Sequence, residues 1–224
     1  MAFRLRDCAA ACSRVAITIK IVTMKRLAQF ISFVFSPLLI PTYGVWLALW
    51  TTVLVLIPVN LRWGVTAVVF ILTCLLPLAA IFVLLKLKLV TDPGLNKQNE
   101  RFIPYLITSL CYAGCALYLY FVHAPLWMSM FMVGGLLASI VSLVVNHWWK
   151  ISAHMAAVGG LAALMFRIMT DHYGLPFDIW VLIGVVMIVG LVGTSRLLLE
   201  RHTLGQVAAG TLNGFLCVYL MSAI

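Results

Sequence analysis

Residues 63–90 read WGVTAVVFILTCLLPLAAIFVLLKLKLV, and their length and composition settle the class of fold. No charged side chain interrupts the stretch before Lys86. At about 1.5 Å per residue, a helix of this length crosses the roughly 30 Å hydrocarbon core of a bilayer. In lipid only helices and closed barrels satisfy every backbone N–H and C=O, and a run this long and continuously apolar is a helix. Composition says the same of the whole chain. With 64% hydrophobic and 9% charged residues, a domain of 224 residues lacks the polar surface to face water, so its main solvent is lipid.

Working outward, seven apolar runs stand between polar or proline breaks: Phe30–Leu56, Trp63–Val90, Phe102–Phe121, Pro125–Val145, Ser152–Thr170, Phe177–Leu198 and Thr203–Met221. They predict an all-α fold, a polytopic membrane helical bundle of about six to seven transmembrane helices. It forms one transmembrane domain, residues 27–224, behind a basic segment, residues 1–26. Pro37, Pro41 and Pro77 fall inside runs and predict kinks. Trp148 and Trp149 stand at a run's end, where aromatic belts form. The first 23 residues lack the apolar centre and small-residue cleavage site of a secretory signal, and Met24-Lys25-Arg26 offers an alternative start.

The net charge of +9 sits in short segments between apolar runs and forms no extended basic stripe. That excludes nucleic acid as the expected partner and points to anionic lipid headgroups. Cys74, Cys111, Cys115 and Cys217 lie inside runs as small apolar residues, so neither a metal nor another cofactor is expected. Arg4, Arg6, Arg14, Lys20, Lys25 and Arg26 precede the first run, and Lys86, Lys88, Lys97, Arg101, Lys150, Arg196 and Arg201 fall on the same side. The positive-inside rule places that side in the cytoplasm.

Three polar segments recur on this side: Asn96 to Pro104, Lys150 to His154, and Ser195 to Gln206. Two runs separate each from the next, and an even number of crossings returns the chain to its starting face. Histidine, arginine and lysine beside a membrane are costly, and their recurrence on one side points to function. These segments resemble the three-part signature of the type 2 phosphatidic acid phosphatase superfamily of membrane lipid phosphatases: Lys, six residues, Arg-Pro; Pro-Ser-Gly-His; and Ser-Arg, five residues, His, three residues, Asp. Ser195, Arg196 and His202 match the third part with its five-residue gap. The second part keeps Ser152 and His154, with Ile151 and Ala153 in place of Pro and Gly. In the first, Lys97 and Arg101 are closer than in the signature and Pro104 comes three residues after the arginine; the final aspartate is Gln206.

The resemblance covers about half the chain and implies a metal-independent hydrolase acting on a lipid phosphate or diphosphate. His202 would be the nucleophile that forms a phosphohistidine, and His154 the general acid. Lys97, Arg101 and Arg196 would clamp the phosphate, with Ser152 and Ser195 beside them, while Gln206 would orient His202. The residues support this chemistry in their own right. A neutral imidazole is a good nucleophile near pH 7, and cations stabilise the charge spread over a pentavalent phosphorus. Ser152 and His202 each stand at a helix start, where backbone N–H groups attract anions. The competing expectation is a non-catalytic lipid-phosphate binder or transporter on the same scaffold. His147 and His172 fit no pattern, and Gly134, Gly135, Gly159 and Gly160 read as close helix packing.

Overall fold

The computed structural model describes residue 20 and residues 22–91, 98–171 and 178–223. Lys97, His172, Cys8, Cys12 and most of the basic segment lie outside these residues. Helices α1 (residues 22–34) and α2 (Ile40–Thr51) are followed by α3 (Val59–Lys86), α4 (Phe102–Phe121), α5 (Leu126–Val145), α6 (Ala153–Thr170), α7 (Asp178–Leu198) and α8 (Leu204–Met221). Among the described residues there is no strand, and α3 to α8 are the six helices long and apolar enough to span a membrane. The chain is therefore an all-α, multi-pass membrane protein.

The first expected span, Phe30–Leu56, is not one helix. Pro37 and Pro41 cannot donate backbone hydrogen bonds, and the chain breaks around Pro37: α1 ends at residue 34, and α2 begins at Ile40 with Pro41 in its first turn. The second span starts earlier than expected, directly after Pro58, and ends at Lys86. Its proline acts locally, for the helix widens into a π turn over Ile71–Leu75 just before Pro77. The ring removes the hydrogen bond to the Thr73 carbonyl, and the wider turn makes room for it. The other five spans begin and end within about one residue of the sequence reading.

Helix α6 is the centre of the bundle. It runs along α8 and also touches α7, α2 and α5. Eleven of its residues are buried, among them Met155, Val158, Leu161, Leu164 and Ile168. Glycines set the α6–α8 distance. A Cβ at Gly210 would meet the Ser152 carbonyl, one at Gly159 the Thr211 carbonyl, and one at Gly214 the Ala156 carbonyl. Gly134 likewise meets the backbone of Val218 on α8. Without a hydrophobic gain between helices in lipid, such close approach is a main source of association energy. Large apolar side chains such as Phe33, Leu110, Trp180 and Met187 point outward, as expected where the solvent is lipid.

Candidate functional site

Helices α4, α6 and α8 all begin at one face of the bundle, so three N-terminal turns direct backbone N–H groups and partial positive charge to that side. The exposed contact of Lys25 with Glu200, 3.5 Å, puts the start of α1 on the same face. The parity expectation holds: Arg101, His154, Arg196 and His202 line a single cavity of about 250 Å3.

A 3₁₀ turn, Gln98–Arg101, leads into α4 and delivers Arg101. Glu100 braces this turn by accepting from the backbone N–H and hydroxyl of Thr91, both at 2.7 Å. Arg101 is buried, and its Nη1 donates to the Ile151 carbonyl at 3.3 Å, joining the first segment to the second. Burial lowers its pKa, against the opposing influence of Tyr105. Lys150 stands within electrostatic reach of Arg101, Arg196 and Arg201, and burial together with these three cations lowers its pKa. Among the described residues lining the cavity none is acidic, so its cations face no carboxylate there.

The turn between α7 and α8 places His202. Glu200 takes a left-handed conformation (φ 55°), and the Arg201 N–H returns to the Arg196 carbonyl at 3.2 Å, closing the helix end. Thr203 then caps α8 in a reciprocal box with Gln206. The Thr203 backbone N–H can only donate, so the Gln206 amide must turn its oxygen Oε1 toward it, at 3.3 Å. The same oxygen lies 3.1 Å from Nδ1 of His202. An oxygen acceptor there requires Nδ1 to carry the hydrogen, and the neutral ring then keeps its lone pair on Nε2. His202 is buried, and burial pushes its pKa down to about 4. The Gln206 hydrogen bond opposes that shift, while Arg196, Arg101 and Lys150 reinforce it.

His154 sits in the first turn of α6, its Nε2 3.1 Å from the Ser32 carbonyl near the end of α1. A carbonyl accepts, so Nε2 carries a proton. Arg196 reaches the cavity from the last turn of α7, and its buried Nε has no hydrogen-bond partner among the described residues.

Two of the expected residues take other positions. The Ser195 hydroxyl donates to Leu191 at 2.8 Å, one turn back in its own helix, and Ser195 does not line the cavity. Ser152 occupies the N-cap position of α6 without a capping hydrogen bond and is buried against Gly210, also off the cavity lining. Tyr105 lines the cavity, and Lys150 and the Ser32 carbonyl stand next to its residues without lining it; none of the three was expected as a site residue. Lys150 is two residues before Ser152, and Tyr105 follows Arg101 at helical spacing on the same face, so both were accessible to pattern reading. Ser32 carried no signal, because its part is played by a backbone oxygen. No family model, curated protein or solved structure matches the chain.

Proposed function

We propose that this protein is a membrane hydrolase that removes phosphate from a lipid phosphate or diphosphate without a metal, through a phosphohistidine on His202. The observation that carries the reading is the His202 ring: neutral, hydrogen-bonded through Nδ1 to Gln206, and set in a cavity lined by Arg101 and Arg196. In the first step the Nε2 lone pair attacks phosphorus, a P–N bond forms and the P–O bond to the lipid breaks. The charge of the bound phosphate favours a second proton on His154, which the ring gives from Nδ1 to the departing oxygen, returning to neutral while its Nε2–H stays on the Ser32 carbonyl. In the second step His154 takes a proton from water, whose oxygen attacks phosphorus, and the P–N bond breaks to release phosphate and restore His202. Arg101, Arg196 and Lys150 stabilise the charge that develops on the phosphoryl oxygens. Lys97 joins them by its place in the sequence pattern. The three-part resemblance to membrane lipid phosphatases supports the same roles.

Phosphate release from detergent-solubilised protein over a panel of lipid phosphates tests the reading. Binding without release would select the second reading, a lipid-phosphate binder, which the amide at Gln206 favours because it supplies no negative charge to a phosphorylated imidazolium. Two substitutions separate these roles. Gln206→Asp is expected to keep or raise turnover and to raise the pKa of His202, while Gln206→Leu is expected to lower turnover by about 10³-fold or more in a folded protein, by analogy with triad enzymes that lose their orienting group. Wild-type-like turnover in Gln206→Leu would show that this side chain does not orient His202. The motif face is proposed to be cytoplasmic, from its basic loops and the basic α1 end beside Glu200. Labelling of a cysteine placed at Arg201 by an impermeant thiol reagent outside intact cells would overturn that orientation.

A further inference from the structure

We infer that the cavity takes a phosphate carried on a single hydrocarbon chain, with the first carbons of that chain inserted between the helices toward Tyr112 and Gly135. This narrows the substrate of the phosphatase reading and rests on it. Arg101 at the start of α4 and Tyr112, eleven residues further along the chain, both line the cavity. At the helical rise they are about 16 Å apart along the axis, so the cavity leads from the cations to roughly the middle of a 30 Å hydrocarbon core. Its volume is nevertheless only about 250 Å3. A cavity of about 150 Å3 accommodates a six-carbon ring, so this one holds on the order of ten heavy atoms, and a phosphate group takes about half of them. Spread over that depth, the remaining space admits one chain. A diacyl lipid phosphate could insert only one of its chains and would have to leave the other outside.

Charge is confined to one end of the lining, and deeper hydroxyls such as Thr108 and Tyr112 are turned to backbone carbonyls, as a ligand with a charged head and an apolar tail requires. Arg101, Arg196 and His202 are at one end, while Phe131 and Gly135 lie deeper on α5. The floor is held in place: the Tyr112 hydroxyl donates to the Pro37 carbonyl at 3.3 Å, bridging α4 to the break between α1 and α2. The Tyr112 ring passes 3.4 Å from where a Cβ on Gly135 would sit, so any larger side chain at 135 projects into the shaft.

The test measures kcat/KM of purified wild type and Gly135→Leu on alkyl monophosphates of graded length, a prenyl monophosphate and a diacyl phosphatidic acid in the same micelles. The chain leaves micelle hydrocarbon and not water, so the effect of Gly135→Leu is steric: a clash on the scale of overpacking costs about tenfold or more for chains long enough to reach it and nothing for shorter ones. The wild type is expected to favour single-chain substrates over the diacyl lipid by at least about tenfold. The loss caused by Gly135→Leu is expected to grow with chain length, to about tenfold more for long chains than for the shortest. Equal turnover of the diacyl lipid, or an equal loss at every length, would overturn the inference while leaving the phosphatase reading intact. Release of phosphate from none of the substrates overturns both. Should Gly135→Leu not fold, as judged by thermal unfolding in detergent, the wild-type preference across the panel decides alone.

Discussion

His202→Ala is expected to reduce lipid phosphate hydrolysis by at least about 10⁴-fold and to eliminate any covalent phosphoprotein, because the proposed reaction forms its P–N bond at the Nε2 of this ring. The Nδ1 hydrogen is fixed by Gln206, whose oxygen is itself fixed by the Thr203 N–H, so the lone pair on Nε2 is preorganised. Burial and the neighbouring cations hold the His202 pKa at about 4. An ordinary histidine near 6.5 would be about nine-tenths protonated at pH 5.5, whereas this one stays neutral there, as the proposed nucleophile must. NMR titration of the ring, assigned by difference from His202→Ala, is expected to show its midpoint well below pH 6; a midpoint near 6.5 would contradict the burial described. Stability follows with a definite sign. Between about pH 6.5 and 4 the unfolded chain binds a proton that the native site refuses, so this histidine makes the fold less stable as pH falls through that window.

Gly214→Val is expected to be the most disruptive single change to the scaffold. Its Cβ would occupy the position of the Ala156 carbonyl, and backbone cannot yield as a flexible side chain does. Overpacking costs about 1–3 kcal/mol even where neighbours adjust, and here the cost belongs at or beyond the upper end. Function suffers as well as stability, because α6 carries His154 and α8 follows directly on His202. Forcing these helices apart separates the two histidines. Gly184 on α7 makes the control, since nothing lies within 4 Å of its Cβ position. Gly184→Ala is expected to be neutral or to gain up to about 1 kcal/mol from helix propensity. Thermal unfolding in detergent compares the two, and an unchanged midpoint for Gly214→Val would refute the close α6–α8 contact.

The membrane class, the positions of α4 to α8 and the sidedness of the three segments were legible in the residues themselves. Each depends on local properties: how long an apolar run continues, where a Ser, Thr or Pro stops it, and whether the number of crossings between two segments is even. The link between His202 and Gln206 was legible for the same reason, since four residues at a helix start lie on one face. Even the break of the first span was announced by Pro37 and Pro41, though not its extent.

What the break does was not legible. It brings the Ser32 carbonyl to His154 and the Pro37 carbonyl to Tyr112, 122 and 75 residues apart in sequence, and no side-chain pattern encodes a backbone oxygen as a partner. The turning of Ser195 into its own helix, the burial of Ser152 and the entry of Lys150 into the cation cluster were likewise decided by which helix face meets which neighbour. A hydrophobic run specifies that a helix is in lipid but hardly its rotation about its own axis, because lipid tails and helix surfaces are nearly equally apolar. Rotation is set by the close backbone contacts at Gly159, Gly210 and Gly214, which exist only once α6 and α8 are side by side. The residues by themselves determined which histidines and cations stand at one face of the bundle, and the packing of α6 against α8 decided which of those residues meet.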